Sequence, residues 1–126
     1  MTDKVVDASA VVALLFDELT KDSVIVRLRG ASLHAPILLV FEVANACLKK
    51  IRSSPSEREA LLDAFFLFNT LSIALEPVDL REVIALAERT GLSVYDASYL
   101  ALALTLGSEL VTLDVKLARA AEALRA

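Results

Sequence analysis

The sequence predicts an α/β domain built on a short parallel sheet. Short, largely apolar runs at Lys4 to Val6, Leu33 to Ala35, Ile73 to Leu75 and Leu110 to Leu113 alternate with longer stretches of helical periodicity. Such alternation produces right-handed crossovers and parallel pairing. The chain is 56% hydrophobic, above the usual share of about 45–50%, as expected where both sheet faces are covered or surface is kept for a partner. Its 126 residues are enough for one domain with a sizeable core, and no internal repeat, linker or low-complexity segment divides them.

The elements follow in order. Val5 and Val6 give the first strand its β-branched character, and Asp7 or Ser9 then caps a helix reaching about Phe16. A second helix covers Lys21 to Arg29 and stops at Gly30, a good residue just past a helix end. After the strand at Leu33-His34-Ala35, Pro36 suits the first position of a helix that runs to about Ile51. The loop Ser53-Ser54-Pro55 breaks it. Ser56 with Glu59 makes a capping box for a helix to about Leu71; three of the five phenylalanines (Phe65, Phe66, Phe68) fall there and do not share one narrow stripe, which leaves a face for another chain. Beyond Ile73 to Leu75, Asp79 and Glu82 open a helix that ends at Thr90-Gly91. Ser93 opens the next, apolar nearly all round until Gly107 and therefore buried. Leu110 to Leu113 is the fourth strand, and Asp114 starts the last helix.

Composition narrows the function. Thirteen basic and 17 acidic residues give a net charge of −4, whereas a free nucleic-acid binder is usually basic. The balance changes if acids sit on cations: one divalent ion brings it to −2, two bring it to 0. Cys47 is the single cysteine, which excludes an internal disulfide and a cysteine-rich zinc site. With no signal-peptide pattern and no apolar run long enough to span a membrane, a soluble, cytoplasmic protein is expected. Gln is absent and Asn occurs only at 45 and 69, a shortage of thermolabile amides that fits a hot habitat.

Four acids stand out: Asp7, Glu42, Asp96 and Asp114. Each is the charged exception within, or at the end of, an apolar segment. Asp7 and Asp114 follow strands, and in open α/β sheets ligands bind at the carboxyl ends of strands. Taken singly, three have another explanation: Asp7 and Asp114 sit where an acid caps a helix, and Asp96 completes a capping box with Ser93. Glu42 interrupts an apolar run in the middle of the expected Pro36–Ile51 helix, where neither capping nor the helix dipole accounts for it. A buried carboxylate costs several kcal/mol unless it is paired or binds a metal. Asn45 lies one turn further on the same face. Brought together, these carboxylates repel and some would take up protons; a bound cation removes that penalty. Oxygen ligands without a second His or Cys favour Mg²⁺ or Mn²⁺ over Zn²⁺, and such an ion suits phosphodiester hydrolysis by in-line attack of water. Ser9 and Thr112 are candidate hydroxyls for orienting the carboxylates or a substrate phosphate, ordinary turn chemistry being the alternative for Ser9. His34 is read as a structural residue at a strand end. Lys49, Lys50 and Arg52 near a helix end are candidates for gripping a phosphate, although the dipole alone favours them there, and Lys116 and Arg119 after Asp114 are candidates for a nucleic-acid backbone.

These residues carry a resemblance. Val5-Val6-Asp7-Ala8-Ser9, Phe41-Glu42-Val43-Ala44-Asn45-Ala46, the run from Ser93 through Tyr95-Asp96-Ala97 to Ala103, and Leu110-Val111-Thr112-Leu113-Asp114 occur in the order and spacing of PIN-domain ribonucleases, and the chain resembles the VapC-type toxins among them over essentially all of residues 1–126. The resemblance implies a single three-layer α/β/α domain, with the first strand central in a four- or five-stranded parallel sheet. It implies Mg²⁺- or Mn²⁺-dependent endonuclease activity on RNA, with Asp7 and Asp96 as the most direct metal ligands, Glu42 and Asp114 completing the site, and Asn45 and Thr112 at recurring positions beside it. It also implies a homodimer, and a cognate antitoxin whose peptide covers the active-site groove. The chain ends in a helix soon after Asp114, where many relatives add a last strand.

Two other classes gather acids on such a sheet. A receiver-like phosphoacceptor domain would want an acceptor Asp after its middle strand and a late Lys beside the acids; here Ile73-Ala74-Leu75 leads into Glu76-Pro77. A non-catalytic partner-binding module would use the acids only as caps. A haloacid-dehalogenase-type phosphatase is disfavoured because Asp7-Ala8-Ser9 lacks its second Asp.

Overall fold

In the computed structural model, which describes residues 1–125, four parallel strands lie in the order β3-β2-β1-β4: β1 (Thr2–Val6), β2 (Ala31–Pro36), β3 (Ala74–Glu76) and β4 (Glu109–Val111). The seven helices are α1 (Ala8–Leu15), α2 (Lys21–Leu28), α3 (Leu39–Ser53), α4 (Arg58–Phe66), α5 (Leu80–Thr90), α6 (Val94–Leu106) and α7 (Val115–Arg125), with short 3₁₀ turns on either side of α4. The expected α/β class and parallel pairing are present, and β1 lies between two neighbours. The chain steps from β1 to β2 to β3 in one direction, then crosses back to set β4 on the other side of β1. Right-handed crossovers therefore put α1 to α4 on one face and α5 and α6 on the other. The direction reverses between β1 and β4, and the carboxyl end of such a switch point is where open α/β sheets keep a binding crevice.

The core explains the order. Val5, Val6 and Val111 are fully buried, as are Val11 on α1, Val43 on α3 and Leu117 on α7. Strand β1 pairs with β2 from Thr2↔Ala31 to Val5↔His34 and with β4 from Lys4↔Glu109 to Val6↔Val111. Helix α6 packs against β1, β2 and β4 and buries every residue from Ala97 to Ala103, the environment its all-round apolar sequence requires. Gly107 ends it at φ +61°, with the Ser108 amide closing back on the Ala103 carbonyl at 2.9 Å. That left-handed turn suits glycine. Among the described residues no helix is long and apolar enough to cross a membrane.

His34 links three strands. Its Nδ1 lies 2.7 Å from Glu76 Oε2 on β3 and its Nε2 2.9 Å from Asp3 Oδ1 on β1. The hydrogen bond to Asp3, helped by Glu76, holds the imidazole above its usual pKa despite some burial, so its role is structural, as its position at a strand end indicates.

Two expected boundaries are different. Pro36 closes β2 and pairs with Glu76 instead of opening a helix; the preceding His34 and Ala35 are already extended, and the chain needs Ile37 and Leu38 to turn before α3 begins at Leu39. The Ser56–Glu59 capping box does not form. Pro55 begins a 3₁₀ turn there, and no side chain caps α4. The expected strand at Leu110 to Leu113 is shorter, because the Thr112 hydroxyl takes the Asp114 amide and turns the backbone away from the sheet.

Candidate active site

Asp7 follows β1 directly. Its amide continues the sheet ladder to the Val111 carbonyl at 3.2 Å, which fixes the residue at the carboxyl edge between β1 and β4. Its carboxylate, only 5% exposed, caps α1: Oδ1 accepts from the Ala10 amide at 3.1 Å and from Ser9 Oγ at 2.7 Å, and Oδ2 accepts from Thr112 Oγ1 at 2.5 Å. Ser9 Oγ in turn accepts from the Leu113 amide at 2.9 Å, and Thr112 Oγ1 from the Asp114 amide at 3.0 Å. Two hydroxyls thus stitch the ends of β1 and β4 together around one carboxylate. Arg27 adds a hydrogen bond to the Thr112 carbonyl at 3.2 Å. Burial raises the pKa of Asp7 and the charge of Asp114 raises it further, against the three hydrogen bonds. Asp114 is exposed and caps α7 through the Leu117 amide at 3.1 Å.

The other two acids come from helices on opposite faces. Glu42 lies in the first turn of α3. The expectation that it sits mid-helix is therefore corrected: α3 starts three residues later than expected, and the helix dipole does favour an acid there. What the dipole does not supply is a partner for a half-buried carboxyl. Tyr99 of α6 supplies it, its hydroxyl donating to Glu42 Oε1 at 2.5 Å. Burial raises the pKa of Glu42, the Tyr99 bond lowers it, and the charges of Asp96 and Asp7 raise it again. Asp96 sits in the first turn of α6, where Ser93 Oγ accepts from its amide at 3.1 Å; its pKa is raised by burial and by Asp114, with Lys116 opposing. Tyr99 is buried, and its own pKa is pushed far up by burial and by Glu42. Sequence reasoning did not single it out; the available signal was a polar-tipped aromatic in an otherwise apolar helix, which needs a hydrogen-bond acceptor. Asn45 is exposed one turn beyond Glu42.

All four acids thus occupy the starts of helices, two as caps and two in first turns, where the positive end of the dipole offsets part of their repulsion. Their charges act on one another: Asp114 on Asp7 and Asp96, and Asp7 and Asp96 on Glu42. An all-oxygen donor set under mutual repulsion suits a hard divalent cation. As the side chains stand, no three Asp, Glu, His or Cys groups among the described residues are grouped closely enough to hold an ion. Asp7 Oδ1 accepts two hydrogen bonds and Oδ2 one, which leaves Oδ2 a lone pair for a cation.

The arrangement defines a doubly wound α/β domain in which Asp7 and Asp114 follow the carboxyl ends of β1 and β4 while Glu42 and Asp96 stand in the first turns of α3 and α6. The chain belongs to the PIN-domain family, whose model matches residues 4–123. It is similar to Ribonuclease VapC3 of Pyrobaculum aerophilum, 35% identical over 119 residues that cover 90% of this chain and 91% of that one. Ribonuclease VapC12 of Mycobacterium tuberculosis is also 35% identical, over 118 residues covering 91% and 89%. Among solved structures, the crystal structure of PAE2754 from Pyrobaculum aerophilum superposes with a TM-score of 0.75 at 28% identity, covering 98% of this chain and 93% of that one.

Proposed function

We propose that this protein is a VapC-type toxin, an endoribonuclease that hydrolyses RNA phosphodiester bonds with Mg²⁺ or Mn²⁺ held by Asp7, Glu42, Asp96 and Asp114. The observation that carries the reading is that three of these carboxyls, Asp7, Glu42 and Asp96, are pushed toward the protonated form, chiefly by burial and in smaller part by neighbouring acids of the four, a cost that a divalent cation relieves. When bound, the ion would activate water and balance charge on a phosphate oxygen. The chain's own residues do the positioning. Ser9, Thr112 and the Ala10 amide fix Asp7 in one orientation. Tyr99 holds one oxygen of Glu42, whose raised basicity suits it to orient the attacking water and accept its proton. In-line attack on phosphorus then releases the ribose oxygen.

Partner surfaces surround the site. Phe41 beside Glu42 is 76% exposed, Tyr95 beside Asp96 is 64% exposed and Val115 beside Asp114 is 62% exposed. Such apolar side chains beside the acids suit a cognate antitoxin segment that carries both apolar and basic side chains. Phe66, packed edge-on to Phe65 at 5.3 Å, and Leu67 are also exposed and offer a face for homodimer pairing.

The test is cleavage of a panel of structured and single-stranded RNAs by purified protein in Mg²⁺, Mn²⁺ or chelator, with Asp7→Asn and Asp96→Asn alongside. Metal-dependent cutting that both substitutions abolish supports the reading. Undiminished cutting by Asp96→Asn defeats it.

A further inference from the structure

A cavity of about 340 Å³ lies at the far end of α3 from the acidic edge, lined by Lys49, Lys50, Ser53, Ser54, Glu57 and Leu61. Lys50 is committed to the fold: its Nζ bonds Glu18 Oε2 at 2.9 Å and lies 5.3 Å from the centre of the Phe16 ring. Lys49 is exposed, and the ion pairs in this region engage Lys50 and Arg58, not Lys49. The helix turns about 100° per residue, so Glu42, Ala46, Lys49 and Ser53 fall along one line on its surface, with the exposed Asn45 on the flank. The rise of about 1.5 Å per residue sets Lys49 about 10.5 Å along the axis from Glu42. Lys49 lines the cavity one turn before Ser53, on the side nearer the acidic edge. The dipole accounts for a lysine near a helix end, but not for a concave site that adds the Ser53 hydroxyl, in register with Glu42, and the Ser54 hydroxyl just past the helix end.

We infer that Lys49, Ser53 and Ser54 form a phosphate-binding subsite that holds single-stranded RNA along α3, a nucleotide or two from the bond cleaved at the acidic edge. The inference rests on the ribonuclease reading above. An extended strand leaving the carboxylates meets an amide at Asn45, then an ammonium and two hydroxyls, all donors for non-bridging phosphate oxygens. Glu57 lines the same cavity and opposes an anion there, which keeps the subsite weak and gives it a characteristic sign: removing the lysine and removing the glutamate act in opposite directions.

The experiment measures binding of fluorescein-labelled single-stranded RNAs of increasing length by anisotropy, in the Asp7→Asn background in Mg²⁺ so that RNA stays intact. The subsite predicts that Lys49→Gln weakens binding about five- to tenfold at low salt and lowers the slope of log affinity against log salt by about 0.7, only for RNAs long enough to span both places. Glu57→Gln tightens binding, and Arg58→Gln, an equal charge change on the neighbouring exposed turn, leaves it unchanged. Equal losses in Lys49→Gln and Arg58→Gln, or no loss in Lys49→Gln, overturn the subsite. Cleavage by the otherwise native chain separates the two readings. A chain that cuts RNA but binds it equally well as Lys49→Gln loses the subsite alone; one that cuts nothing but shows the predicted binding pattern loses the ribonuclease reading alone.

Discussion

Thr112→Val tests how the site is held. Thr112 is 4% exposed and its hydroxyl has two jobs, donating to Asp7 Oδ2 at 2.5 Å and accepting from the Asp114 amide at 3.0 Å. Valine fills nearly the same volume, so the packing term is small and the polar terms decide the outcome. A hydrogen bond to a charged partner is worth about 1.5–3 kcal/mol. The Asp114 amide lies at an exposed residue, where water replaces part of its bond. The expected loss near neutral pH is therefore about 2–3 kcal/mol, or about 10 °C in Tm for a chain of this size. The loss must also depend on pH. The Thr112 bond lowers the pKa of Asp7, so its removal raises that pKa further, and the penalty shrinks as pH falls and the carboxyl becomes protonated in both proteins. Urea unfolding of wild type and Thr112→Val at a series of pH values reads this as a midpoint difference at constant m. A difference below about 0.5 kcal/mol near neutrality, the size of an ordinary surface change, or one that does not vary with pH, refutes the claim that Thr112 stabilises a buried charge.

Other outcomes follow from the same contacts. Tyr99→Phe removes the donor that lowers the pKa of Glu42, so the acid limb of the pH–rate profile moves to higher pH; an unmoved limb separates Glu42 from the proton transfer. The raised pKa values of Asp7, Glu42 and Asp96 mean that each stabilises the fold most when protonated, below 3.8 for Asp and 4.5 for Glu, and loses that contribution as pH rises through its folded value. His34 has the same sign in a higher window: its contribution is complete below 6.5 and is lost as pH rises through its raised folded pKa. Denaturation midpoints of wild type should therefore decline above pH 6.5, and those of His34→Gln should be flat there; parallel curves contradict the three-strand link. If α4 pairs two copies, Phe66→Glu gives a monomer by sedimentation velocity, and an unchanged dimer places the interface elsewhere.

The parallel sheet was legible because its signal is redundant: four short apolar runs, three of them followed by a helix with an aspartate cap. Asp7 and Asp114 could be located for the same reason, since a strand end and a helix cap are both marked in the sequence, and the structure uses both as caps. The start of α3 was not legible. Proline serves equally well at a helix start and at the end of a parallel strand, and only the pairing of Pro36 with Glu76, forty residues away, decides between them. That misplacement carried into Glu42, whose place in the first turn removes one argument for its importance, while the Tyr99 contact between helices on opposite faces supplies another. No local pattern announces a hydrogen bond between residues 57 positions apart. The failure of the Ser56–Glu59 box has a local cause: Pro55 is better placed to start a 3₁₀ turn than Ser56 is to cap a helix.

The central claim, that four acids share a field which a divalent ion relieves, is tested most directly by thermal denaturation of the full chain against Mn²⁺ concentration, for wild type and Asp96→Asn. A ligand that binds only the folded state stabilises by RT ln(1 + [L]/Kd). The account predicts a wild-type Tm that climbs steadily with Mn²⁺ and a much smaller rise in Asp96→Asn. A flat wild-type curve, or equal rises in both proteins, contradicts it.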